Sequence, residues 1–197
     1  SLVPVKNKIM FSFFNKKSKR VYLDNAGATE ILPSAKAELL RVLDVYGNPS
    51  AIHKEGANAS IELDKARAKV ATILNAHAYE VTFVGSGTES CNLAVLGTYY
   101  AWKRNNKDSS ILPHIITSAI EHPAVLEPIK SLERNNLITV TYLPVYLDGV
   151  VKVSDLRDAI TEHTILISIM YANNEIGTLQ PVKEIGREIS LWKTAKK

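Results

Sequence analysis

At 197 residues and 46% hydrophobic content, the sequence can bury a core and form one good-sized domain, which excludes disorder as the starting assumption. No stretch approaches the roughly 18 consecutive apolar residues that span a bilayer, so the expectation is a soluble, cytoplasmic protein with no membrane partner. The net charge of +4 sits at the ends, because residues 21–186 carry 14 basic against 19 acidic side chains, a net of −5; without a basic groove in that body, nucleic acid is not the expected partner.

Residues 1–20 hold six Lys/Arg and no acid and read as a basic, disordered tail. Phe11, Phe13 and Phe14 precede the charges at Lys16 to Arg20, the wrong order and too short an apolar run for a secretion signal. Met10 reads as the natural start, and the helix ending in Trp192-Lys193-Thr194-Ala195-Lys196-Lys197 shows no cap signal, so both ends read as cut. Cys91 is the only cysteine, which excludes an internal disulfide and a cysteine-based metal cluster and fits a reducing compartment.

After the tail, Val21-Tyr22-Leu23 is a short extended piece leading into a turn-rich stretch, Asp24-Asn25-Ala26-Gly27-Ala28-Thr29. Pro33 opens a helix where its missing N–H costs nothing, and the apolar spacing carries it to about Tyr46. A loop, Gly47-Asn48-Pro49-Ser50, precedes a second helix over residues 56–75. Residues 81–84 (Val-Thr-Phe-Val) read as a buried strand, followed by a glycine turn and a helix over 89–104. Further strands are expected over 114–118, 138–143 and 164–170, separated by a helix from Pro123 to about Asn135 and one capped by Ser154. A last helix begins near Pro181. Strand and helix alternate from residue 81, which predicts an α/β fold with a mostly parallel sheet covered on both faces, its ligand sites beyond the carboxyl ends of the strands.

Three loops in those places carry chemistry. In Gly85-Ser86-Gly87-Thr88-Glu89-Ser90, the glycines let backbone approach an anion, the hydroxyls of Ser86 and Thr88 are donors, and the helix start adds free N–H groups and a positive dipole end. That is a phosphate cradle or a plain Gly-rich turn; it lacks the lysine of a nucleotide-triphosphate loop. In Glu121-His122-Pro123-Ala124-Val125, His122 is either a helix-capping or core histidine, or a ring lying on an aromatic cofactor and moving protons. In Asn173-Asn174-Glu175-Ile176-Gly177, the paired amides are either an ordinary turn or ligands for a hydroxyl or carboxylate.

Together with Tyr22 to Thr29, with Gly47-Asn48-Pro49-Ser50-Ala51-Ile52-His53-Lys54-Glu55-Gly56, and with Ser168-Ile169-Met170 ahead of the Asn pair, these loops resemble the cysteine desulfurases of the class V aminotransferase group over roughly residues 21–190. The resemblance implies the three-layer large domain of the aspartate-aminotransferase type, present in part over residues 34–197, with residues 21–33 as an arm of the small domain. It implies pyridoxal 5'-phosphate as cofactor, its phosphate on Gly87 and Thr88, the imidazole of His122 stacked on its ring and active in proton transfer, and Asn174 against its phenolic oxygen and the substrate. It further implies L-cysteine as substrate, converted to L-alanine with persulfide sulfur passed to an acceptor or scaffold protein for iron–sulfur or thio-cofactor assembly, and a homodimer when complete.

The family's pyridinium-pairing Asp, Schiff-base Lys, persulfide Cys and substrate Arg come later than residue 197, so the chain alone is expected to be inactive. Ala26-Gly27-Ala28-Thr29 stands where the family has Ala-Ala-Thr-Thr, and Gly87 where some members have Ala. Ser50-Ala51-Ile52-His53-Lys54 imitates a Schiff-base segment but belongs to the upstream Gly-Asn-Pro-Ser motif, and Cys91 reads as a small core residue rather than a sulfur acceptor. The alternatives are a selenocysteine lyase or another class V aminotransferase, and a truncated, non-catalytic product.

Overall fold

The computed structural model describes residues 20–107 and 110–195; the tail expected over 1–20 lies, apart from Arg20, outside them. The chain divides into two compact units, one ending at Asp44 and the other beginning at Val45. In the first, a turn forms where Gly27 N–H donates to the Asp24 side chain and Ala28 N–H to the Asp24 carbonyl, each at 3.3 Å. Helix α1, Pro33–Val42, follows. It buries none of its residues, and Leu39, Leu40 and Leu43 are exposed. It stops short of the expected Tyr46.

The second unit opens with α2, Lys54–Ile73, a single 3₁₀ turn at Ala78–Glu80, and α3, Gly87–Asn105. Then come β1 His114–Ser118, α4 Pro123–Arg134, β2 Thr139–Leu143, α5 Val153–Ala159, β3 Thr164–Ser168 and α6 Val182–Ala195. The strands form one parallel sheet in the order β2-β1-β3. Ile115 pairs with Val140 on one side and Leu166 on the other, with a register shift between His114 and Ile115 on the β3 side. Helix α4 joins β1 to β2, and α5 joins β2 to β3. These are the long crossovers that parallel strands of one sheet require, the second passing over β1.

Strand side chains alternate between faces, so adjacent residues of β1 enter different cores. Ile115 packs with Val95 and Tyr99 of α3 and with Val125, Ile129 and Leu132 of α4. Ile116 packs with Leu143, Val151, Leu156 of α5 and Ile185 of α6. At about 1.5–3 kcal/mol for each fully buried large apolar side chain, these two layers supply most of the drive to fold the unit. The expected coverage of both faces is therefore present, and β1, buried at all five positions, is the centre of the sheet.

Three expectations change. Residues 81–84 are not a strand among the described residues: Val81 is extended (φ −100°, ψ 119°), but the segment joins no ladder, since β1 is flanked on both sides by β2 and β3. The carbonyl of Val81 is instead held by Arg67 Nε of α2 at 3.2 Å. Ser154 is not the cap of α5; Lys152 holds that position without a side-chain bond. The third strand in the sheet ends at Ser168 rather than Met170, because the Met170 N–H turns away to a carboxylate 49 residues earlier in the chain.

Candidate functional site

The direction of the sheet connections selects where a site can form. From β1 the chain leaves into α4, which packs with Ile115; from β3 it leaves into α6, which packs with Ile116 on the opposite face. Neighbouring parallel strands whose connections depart to opposite faces open a crevice at their carboxyl ends. The loops that follow these two strands carry His122 and Asn174.

The third loop, residues 85–88, precedes α3. Ser86 is the N-cap, its Oγ accepting from Glu89 N–H at 3.1 Å, and Glu89 returns a carboxylate to Gly85 N–H at 2.7 Å. This reciprocal capping uses an acceptor lone pair of the Ser86 hydroxyl and leaves its O–H able to donate. It leaves the N–H groups of Gly87 and Thr88, which open the helix and have no intrahelical acceptor, together with the Thr88 hydroxyl. A Cβ at Gly87 would meet nothing within 4 Å, so the space before these donors is open.

His122 is the N-cap of α4, with Nδ1 accepting from Ala124 N–H at 3.0 Å. The capping role is thus real, and it fixes the tautomer: with Nδ1 accepting, the proton of the neutral ring resides on Nε2. The capping bond and a second role are compatible because they use different nitrogens. Thr88 and His122 line one open cleft of about 600 Å³ between the starts of α3 and α4, with Asn92, Glu127 and Arg134 further along it. Gly87 adjoins Thr88, whereas Asn174 is not among the residues lining this cleft.

The two residues of the Asn pair have separate roles. Asn173 is buried; its Oδ1 accepts from Glu175 and Ile176 N–H at 2.8 and 3.0 Å, and its Nδ2 donates to the Ile120 carbonyl at 3.1 Å. Asn174 is exposed, with Nδ2 3.3 Å from the Glu175 carboxylate. Beside them lies a residue that the sequence left unremarked, Glu121, which is only 6% exposed. Its Oε1 accepts from Met170 N–H at 2.6 Å and from Ser118 Oγ at 2.9 Å. Burial pushes its carboxyl above the ordinary glutamate range, and those two hydrogen bonds oppose the shift. The signal available in the sequence was a carboxylate in the short loop between a buried strand and the proline that opens the next helix.

The two decoys have structural places. His53 caps α2 through Nδ1, accepting from Gly56 N–H at 3.2 Å, and Lys54 is the exposed first residue of that helix, outside the lining of the cleft. Cys91 is half-buried on α3 and packs against the core that α3 shares with α4.

The donor set at the cleft fits a phosphate monoester on an aromatic ring: two N–H groups at a positive helix end and a hydroxyl for the phosphate, and an imidazole with an uncommitted Nε2–H in the same cleft. Among the described residues no cluster of His, Cys, Asp and Glu could hold a metal ion, and no helix is long and apolar enough to cross a membrane.

Known proteins are similar to this chain in sequence and fold. The aminotransferase class-V family profile matches residues 21–194. A cysteine desulfurase IscS of Methanosarcina thermophila is 45% identical over 171 residues, covering 86% of this chain and 41% of that protein. A putative cysteine desulfurase IscS 1 of Bacillus subtilis is 38% identical over 169 residues, 85% of this chain and 43% of that protein. Among solved structures, a NifS-like protein superposes with a TM-score of 0.79 at 38% identity, covering 88% of this chain and 46% of the other. SspA in complex with cysteine does so at 0.76 and 33%, covering 85% and 47%. The chain spans about two-fifths of the length of the curated relatives it matches. With the family profile matched along nearly all of the described residues, and with a parallel sheet whose loops carry the family's motifs, the chain belongs to the aminotransferase class-V family.

Proposed function

We propose that this chain supplies the phosphate-binding and ring-facing part of a pyridoxal-phosphate-dependent cysteine desulfurase. The observation that carries this reading is the shared cleft of Thr88 and His122, which joins an anion site at a helix start to a histidine with one free ring nitrogen. The relatives named cysteine desulfurase, and the structural neighbour SspA in complex with cysteine, support L-cysteine as the substrate.

The N–H groups of Gly87 and Thr88 and the Thr88 hydroxyl hold the phosphate. His122 faces the ring and presents its Nε2–H as a hydrogen-bond donor, while its Nδ1 stays committed to Ala124 N–H, which fixes the orientation of the imidazole. Asn174, exposed beside the crevice between β1 and β3, offers an amide to the cofactor's phenolic oxygen and to the substrate. When bound, pyridoxal phosphate supplies an electron sink for charge developing on the substrate. The sulfur is passed to an acceptor or scaffold protein, and the complete enzyme is a cytoplasmic homodimer.

The test is a titration of the 197-residue chain with pyridoxal 5'-phosphate and, separately, with pyridoxal, followed by amide resonances. The phosphorylated compound is expected to shift Gly87 and Thr88 and the unphosphorylated one to leave them in place. Equal responses to both, or none at Thr88, sink the assignment. A cofactor absorbance band that disappears in Lys54→Ala would instead give Lys54 a cofactor role that the structure does not suggest.

A further inference from the structure

The loop after β1 and the loop following β3 are about 50 residues apart in sequence, yet two hydrogen bonds tie them together. Glu121 Oε1 accepts from Met170 N–H at 2.6 Å, and Asn173 Nδ2 donates to the Ile120 carbonyl at 3.1 Å. Both bonds run from the second loop to the first, with side-chain and backbone roles exchanged: the first loop provides a side-chain acceptor and a backbone acceptor, the second a backbone donor and a side-chain donor. Each side chain is also anchored within its own loop, Glu121 by the Ser118 hydroxyl and Asn173 by the N–H groups of Glu175 and Ile176. Both are buried, at 6% and 8% exposure. Each directly precedes a residue of the proposed site, Glu121 before His122 and Asn173 before Asn174.

Hydrogen bonds at buried loop ends are costly to break and leave their backbone little freedom. A loop residue one bond beyond such an anchor inherits its position. We propose that Glu121 and Asn173 are positioning residues, a two-bond clasp that sets the spacing between His122 and Asn174 across the β1–β3 crevice. The proposal deepens the cofactor reading above and rests on it for the meaning of that spacing, but the clasp itself is present without any ligand. Because both bonds to Glu121 end on one oxygen, glutamine can accept both through its amide oxygen. The clasp therefore requires an acceptor at position 121 rather than a charge.

The experiment uses the 197-residue chain and three variants, Glu121→Ala, Glu121→Gln and Asn173→Asp. Asn173→Asp keeps the two turn bonds to Oδ1 and removes the donor to Ile120. In the free protein, hydrogen exchange at the Met170 amide is expected to accelerate about tenfold in Glu121→Ala, the order expected when one buried hydrogen bond is lost, and to stay within about twofold in Glu121→Gln. The amides of residues 172–177 are expected to shift in Glu121→Ala, and those of residues 119–122 in Asn173→Asp, each across the crevice. Should Glu121→Ala fail to fold, Asn173→Asp and the conservative Glu121→Gln still decide the matter.

With pyridoxal 5'-phosphate, Glu121→Gln is expected to bind with the wild-type midpoint, and Glu121→Ala and Asn173→Asp with a midpoint raised at least about threefold, since the spacing of His122 and Asn174 is no longer set before the ligand arrives. Cross-crevice amides that stay in place in both disrupting variants, or a Glu121→Gln that behaves like Glu121→Ala, overturn the clasp. Absence of any cofactor response at Gly87 and Thr88 in the wild type overturns the cofactor reading instead, and the free-protein comparison still judges the clasp.

Discussion

The guanidinium of Arg67 lies 5.4 Å from the ring centroid of Phe83, while its Nε donates to the Val81 carbonyl at 3.2 Å and its Nη1 pairs with Asp64 at 3.0 Å. One side chain of α2 therefore fixes both the backbone and a ring of the unpaired segment that delivers the chain to Gly85. Arg67→Ala is expected to cost about 2–4 kcal/mol, the sum of a partly exposed cation–π contact and one charge-assisted hydrogen bond. Arg67→Lys should recover less than half, because an ammonium cannot stack and donate from Nε at once. Urea denaturation of the two variants against wild type checks both values.

His122 carries a cap and, in the proposed site, a ring function, and substitution can separate them. Asparagine is a good N-cap whereas alanine is not, so His122→Ala is expected to lose about 1 kcal/mol of stability and His122→Asn only a few tenths. Both should weaken pyridoxal 5'-phosphate binding to a similar extent. A binding loss in His122→Ala that His122→Asn fully restores would reduce His122 to a helix cap.

The ring of His114 is buried within the sheet, Nδ1 2.9 Å from Thr164 Oγ1 and Nε2 2.9 Å from Thr141 Oγ1. Burial, and secondarily the neighbouring His163, hold its imidazole below the ordinary value of 6.5. Unfolded protein thus binds a proton that folded protein refuses, so this contribution to stability is complete above about pH 6.5 and is lost as pH falls towards the folded value. Glu121 has the opposite sign: its carboxyl is raised, and its contribution is lost as pH rises above the ordinary value of 4.5. The informative quantity is the difference between wild type and His114→Gln, whose stability is expected to decline less between about pH 7 and pH 5 in urea melts at matched ionic strength.

Glycines that look alike in the sequence differ in their surroundings. A Cβ at Gly47 would fall on the backbone of Glu55 and Gly56, and one at Gly56 on the carbonyls of Ala51 and Asn48, whereas one at Gly87 would meet nothing. Gly47→Ala is expected to destabilise by about 1–3 kcal/mol through overpacking against backbone that cannot yield. Gly87→Ala is expected to be neutral or to stabilise by up to about 1 kcal/mol, by restricting the unfolded chain at the first residue of a helix. Thermal melts of the two variants are the measurement.

By itself the sequence determined the alternation of elements and the ends of the strands where chemistry gathers. Ile115-Ile116 and Ile165-Leu166-Ile167 are apolar on consecutive residues, the mark of strands buried on both faces. The glycine turn, His122 and Asn174 each stand at a helix start or just past a strand, positions that depend only on local order. Tertiary structure decided the rest, because it turns on partners far apart in the chain. Residues 81–84 have a strand's composition, but pairing needs a neighbour, and Arg67 holds the Val81 carbonyl instead. The Ser86 hydroxyl, which the sequence offers only as a phosphate donor, also accepts the Glu89 N–H once Glu89 folds back into the cap. Glu121 and Asn173 acquire a shared purpose only when parallel pairing brings β1 and β3 side by side, since a hydrogen bond spanning 49 or 53 residues leaves no periodic trace in the sequence.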